Sequence, residues 1–259
     1  MKTVVRLAAA AAMSLGAASA ASGATVTSGS FTLNLDEDAL AQMVFNPSGT
    51  PPTMYLEEFW DASASATLTN VQINTPGTAD LVPGSGAISA TGLVFSVTGS
   101  SVVNPAGRSI KATGFTYDPS NLEGTASGQI GLGGVLRFMG NFSGVFATGD
   151  YTLKYDASRA GNTAGGSGWY LFNNYALPVP AFELTDITAV SSASSLQISG
   201  KVKWSPEIVD AFFTSNDLGT EMGTFVFSSP VPEPEPVWLL GLGLAGLAGV
   251  ARHRRTRRG

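Results

Sequence analysis

Three groups of side chains in this 259-residue chain have types and spacings that could do chemistry. Asn34, Asp36 and Asp38 stand at alternate positions, as in the first half of a calcium loop, where oxygen atoms are the ligands. The pattern then breaks, with Ala39 where the loop needs glycine and Phe45 where it needs a bidentate glutamate. Asp36 serves equally well as the N-cap of a short helix. Glu57, Glu58 and Asp61 surround Phe59 and Trp60, the composition of a carboxylate pair beside a sugar-stacking ring. Loop charges beside a core aromatic give the same string. Residues 168–175 read GWYLFNNY, the most aromatic stretch of the chain. On a strand, Trp169, Leu171 and Asn173 face one way and Tyr170, Phe172 and Asn174 the other. Trp169 and Tyr170 are the candidate glycan-stacking residues, with the asparagines as hydrogen-bond partners. A core strand flanked by a turn accounts for the same residues.

What is missing narrows the chemistry further. The chain has no cysteine, so neither a disulfide framework nor thiol chemistry is available. Its one histidine is His253, close to the C-terminus. The residues before it cannot supply a Ser-His-Asp triad, a histidine-ligated zinc site or a histidine proton shuttle. The expectation is no catalytic residue, no metal and no cofactor. Two functional classes stay open: a non-enzymatic structural or adhesive β-domain, and a secreted carbohydrate-binding or carboxylate-dependent carbohydrate-active domain.

The elements that must position these residues read as β. Phe31 to Leu35 alternates apolar and polar, as does Leu196 to Trp204. Further strands are expected at 65–74, 86–98, 108–117, 127–139, 142–155, 168–175, 182–190 and 224–227, separated by Gly, Pro, Asn and Ser. Two short helices are expected. One follows Asp36, with Leu40, Met43 and Val44 on one face. The other starts with Ser205 as N-cap and Pro206 at its first position. Lys201 and Lys203 point outward from their strand, where they would protect an edge. The fold class is all-β, an antiparallel sandwich or open barrel with one or two short helices.

Both ends of the chain differ from this middle. Residues 1–24 carry Lys2 and Arg6, an apolar stretch from Leu7 to Ala18, and small residues with cleavage sites after Ala20 or Ala24; this is a signal peptide. The last 29 residues have three parts in order. Overlapping Pro-Glu-Pro triplets fill 232–236, just after Val231: Pro232, Glu233, Pro234, Glu235 and Pro236. Their prolines enforce an extended, stiff strip that a partner can read as a preformed shape. An uncharged apolar run follows at 237–251, about 22 Å long as a helix against a hydrocarbon core of about 30 Å. Trp238 suits one membrane interface, and Arg252, Arg254, Arg255, Arg257 and Arg258, within 252–258, suit the other. The arginine end stays cytoplasmic and the rest lies outside, with snorkelling arginines covering the shortfall in length. A G-x-G-x-x-G string at Gly241 to Gly246 lies within the apolar run and has no βαβ context, so it is not a dinucleotide site.

This three-part tail resembles the PEP-CTERM sorting signal of Gram-negative bacteria. The resemblance implies recognition by an integral-membrane cysteine protease, an exosortase, and cleavage near the triplet. It further implies transient anchoring in the inner membrane, then transfer to the cell surface or to an extracellular, biofilm-type matrix, with exopolysaccharide a possible associate. Glu235, Pro236 and Val237 occupy the space where family tails carry small residues, which leaves open which triplet is read.

With both ends set aside, residues 25–230 form one extracytoplasmic domain. Seven of the 14 basic residues and seventeen of the 19 acidic residues fall within it, a net charge of −10. That balance argues against nucleic acid as a partner.

Overall fold

The computed structural model describes residues 23–45, 49–81, 84 and 86–231. The expected signal peptide up to Ser22, the Pro-Glu-Pro triplets, the expected membrane helix at 237–251 and the arginine cluster lie outside the described residues. Among the described residues, no helix is long and apolar enough to cross a membrane.

Twelve strands are present in chain order: β1 (Ala24–Val26), β2 (Ser30–Leu35), β3 (Tyr55–Asp61), β4 (Leu93–Val97), β5 (Gly114–Tyr117), β6 (Ser127–Met139), β7 (Phe146–Gly149), β8 (Thr152–Tyr155), β9 (Trp169–Asn173), β10 (Val179–Ser191), β11 (Ser195–Trp204) and β12 (Glu221–Pro230). The short helices are α1 (Glu37–Gln42), α2 (Asn70–Ile73), α3 (Leu122–Thr125) and α4 (Pro206–Phe212).

The expectation of an all-β fold holds, but the barrel is closed rather than open. The strand path runs β6-β4-β2-β12-β11-β10-β9-β8 and returns to β6, with every neighbour antiparallel. Closure depends on β6. Gly133 and Leu132 pair with Ser96 and Val97 on one side, while Gly131 and Ile130 pair with Thr152 and Leu153 on the other. Ring closure removes the free edges that a sandwich would leave. β6 then runs past the ring, and its far half carries β3 on one side and β7 on the other. Its start carries β5, and β5 carries β1.

Side chains fill the barrel, as an eight-stranded ring requires. Phe182 stacks on Trp204 at 4.2 Å, Tyr151 lies edge-on to Phe95 and to Phe182, and Phe31 stacks on Phe225 at 5.1 Å. A second, smaller core of Trp60, Ile73, Val135 and Tyr175 sits outside the ring, beneath the segment that follows β3.

Several expectations change. Residues 65–74 form turns and α2 rather than a strand, because Thr69 and Gln72 make a reciprocal capping box. Glu57, Glu58 and Asp61 belong to strand β3, not to a loop. Lys201 and Lys203 lie on β11, which is paired on both sides, so they guard no edge; Lys201 instead faces Asp186 and Glu221. α1 and α4 form as expected, capped by Asp36 and Ser205. α2 and α3 are additional.

Long connections are held down by arginines. Arg108 reaches from the segment between β4 and β5 to Asp150 and to the carbonyl of Ser65. Arg137 on β6 bonds Glu57, Asp80 and the Ile73 carbonyl, and lies over the Trp60 ring. Arg159, between β8 and β9, bonds Glu183 and Glu207 and covers Tyr170. These are the three arginines of residues 25–230. In a chain without cysteine they perform the pinning that disulfides provide in many exported domains.

Candidate functional site

Four carboxylates of the middle domain form two pairs, and each pair shares a guanidinium. Glu57 and Asp80 both bind Arg137, and Glu183 and Glu207 both bind Arg159. A glycosidase needs one protonated and one ionised carboxyl facing each other across a space for substrate. Here the space between each pair is filled by the arginine. Burial pushes the Glu183 carboxyl above its usual range, against the pull of Arg159. Its second oxygen, Oε2, has no hydrogen-bond partner. The side chain is fully enclosed beneath the 156–168 segment, so it meets no solvent-borne substrate. Burial likewise raises Asp150 despite Arg108, and raises the Tyr151 phenol, which is sealed inside the barrel.

Two of the recesses formed by the described residues have no ionisable side chain in their lining. One, of about 150 Å³, lies between α4 and β7, with Ile208, Phe212, Phe146, Leu177 and Asn173 among its walls. The Asn173 amide is fully engaged there, donating to the Tyr175 and Leu177 carbonyls and accepting from the backbone N–H groups of Gly149 and Tyr175. The other, of about 230 Å³, lies over Gly133 between Ala62, Thr98 and Val103.

The glycan-stacking candidates do not form one platform. Trp169 has no exposed surface; it packs on Phe115 and Tyr155 and donates its indole N–H to Glu123 at 3.3 Å. Tyr170 points to the opposite face and is covered by the Arg159 guanidinium at 4.8 Å. The calcium-like string is likewise engaged in the fold. Asp36 accepts the Ala39 N–H, and Asn34 accepts the Gly92 N–H. Among the described residues, no group of three His, Cys, Asp or Glu side chains is placed to hold a metal ion.

The functional element that remains is the junction between barrel and tail. β12 runs from Glu221 to Pro230 between β11 and β2, and Pro230 is still paired with Ser195. Val231 follows without a break, 4% exposed in the main core, and donates its backbone N–H to the Ser194 carbonyl at 2.8 Å. The first Pro-Glu-Pro triplet begins at the next residue. Beside this exit, the Tyr117 hydroxyl donates to the Ser192 and Ser195 carbonyls at 3.2 and 3.3 Å. Tyr117 also pairs with Ala24 at the start of β1. The sequence showed the triplets but not that they abut a closed barrel, because strand closure depends on pairings far apart in the chain.

The closed antiparallel barrel is joined directly to a C-terminal sorting motif. The particular signal is the PEP-CTERM protein-sorting motif, whose family model matches residues 230–255. The chain therefore carries the motif that an exosortase recognises for export and surface sorting. No curated protein matches the chain. Among solved structures, the C-terminal domain of HtaA from Corynebacterium glutamicum is similar over 81% of this chain and 99% of its own length, at 14% identity and a TM-score of 0.42. A likeness of that size carries no argument about function.

Proposed function

We propose that this chain is an exported surface or extracellular-matrix protein, processed through its PEP-CTERM tail, whose barrel is structural or adhesive and performs no catalysis. The observation that carries the reading is the sorting motif at residues 230–255, beginning on the last barrel strand. The non-enzymatic part is supported by the use of two acidic pairs to hold Arg137 and Arg159. During transit the apolar run at 237–251 holds the barrel at the inner membrane; cutting near the triplet then releases it. Fractionation of cells with and without the exosortase tests this. Release into surface and medium fractions only when the protease is present supports the reading. An equal distribution in both strains contradicts it.

A further inference from the structure

The two ends of the described chain leave the barrel at the same rim. Ala24 of β1 pairs with Tyr117, the Tyr117 hydroxyl donates to the Ser192 and Ser195 carbonyls, and Val231 is bonded to Ser194 in that same turn. Ser191 Oγ donates to the Pro119 carbonyl at 2.8 Å, tying the turn to the loop after β5. This rim comprises the β10–β11 turn, the β5–α3 loop and the turn before β2. The other end of β12, at Glu221, lies about 33 Å away along the strand and adjoins the turn at Ser215–Asp217.

A protease that takes the triplet into its active site grips several residues on each side of the bond it cuts. The residues directly before the triplets, Pro230 and Val231, are both built into the barrel. Whatever their conformation, the five residues 232–236 span at most about 18 Å. The rim must therefore enter the contact. Its polar side chains are hydroxyls, carboxylates and an amide, from Ser120, Ser194, Ser195, Asn121, Glu123 and the half-buried Asp118 and Ser192, beside the exposed Val190, with no Lys or Arg in 114–125 or 190–196. A surface without cations has no attraction for anionic lipid.

We propose that this rim is a docking face for the extracytoplasmic surface of the processing protease, and that it turns the barrel so that the α4 end points away from the membrane. The inference rests on the sorting function proposed above and adds the surface that the protease contacts. The cysteine-free chain permits a direct test with single introduced cysteines carrying a short photo-crosslinker. Ala193→Cys samples the rim and Asn216→Cys the opposite end; both positions are exposed. Each full-length variant is irradiated in cells holding a catalytically inactive protease.

The expected result is a protease adduct from Ala193→Cys at least tenfold stronger than from Asn216→Cys. A flexible Gly-Ser spacer of about ten residues, with an r.m.s. span of about 18 Å, placed between Val231 and Pro232, is expected to abolish that adduct while active protease still cuts the tail. Equal adducts from both positions, adducts to lipid alone, or an adduct that survives the spacer would overturn the proposal. A tail left uncut by active protease in the parent chain would instead overturn the sorting reading beneath it.

Discussion

Arg108 and Asp150 form a doubly hydrogen-bonded ion pair with no exposed side-chain surface: Nε donates to Oδ2 at 2.9 Å and Nη2 to Oδ1 at 2.5 Å. Asp150 stands between β7 and β8 with φ of 46°, a left-handed backbone that non-glycine residues seldom adopt. The pair thus fixes the bend at which β6 changes partner from β7 to β8, and pins the segment before β5 to the barrel. Removing one partner of a buried pair leaves an uncompensated charge, which costs about 3–5 kcal/mol. Arg108→Met is expected to lose that much stability in urea unfolding. The double variant Arg108→Met with Asp150→Asn is expected to lose clearly less, since no charge is stranded. Equal losses would mean that the guanidinium acts through packing alone.

The buried acids set the direction of the pH response. Burial raises Asp150 and Glu183 above their ordinary values, so the folded chain holds their protons to higher pH than the unfolded chain does. Stability linked to these two groups is fully present below the unfolded pKa and is lost as pH rises through the folded one. Asp118 and Asp156 are lowered by hydrogen bonds from Ser120 and Ser158, and their contribution disappears only when pH falls below the ordinary carboxylate range. From pH 7.5 down to about 5, above the ordinary carboxylate values, the urea midpoint is expected to rise. Asp150→Asn together with Glu183→Gln should flatten that rise. A midpoint that falls over the same interval would contradict the assignment.

The start of the mature chain follows from β1. Ala24 is 6% exposed and paired with Tyr117, and Val26 is 1% exposed. Cutting the leader after Ala24 would strip the first residue from this three-residue strand. Cutting after Ala20 leaves it whole. N-terminal sequencing of the exported protein is expected to begin at Ala21, and a start at Thr25 would show that β1 tolerates the loss of its first pair.

Parts of the barrel are readable in the chain, through alternation in β2 and β11. β6 occupies the expected 127–139, and β11 follows the Leu196, Ile198, Val202, Trp204 pattern. The α4 start was equally legible, since Ser205 accepts the Ile208 N–H at 3.1 Å directly before Pro206. β3 was missed for a physical reason. Its buried face carries Leu56, Glu58 and Trp60, and a buried glutamate breaks the apolar alternation by which strands are recognised. Residues 65–74, expected as a strand, instead contain α2, whose start the Thr69-x-x-Gln72 spacing marks. Nothing local could show the closure of β6 onto both β4 and β8, or that Arg137 and Arg159 would each engage two carboxylates. Those depend on contacts between residues as far apart as Glu57 and Arg137. The sorting motif, by contrast, is contiguous, so it could be read directly.

The central claim is that the tail after Val231 is a processing signal and not a permanent anchor. Intact mass of the native protein, purified from cells with and without the exosortase, tests it most directly. With the protease, the mass should correspond to a chain that keeps Val231 and ends within or just after residues 232–236. Without it, the mass should include every residue to Gly259. A chain that retains the complete tail in both strains would contradict the account.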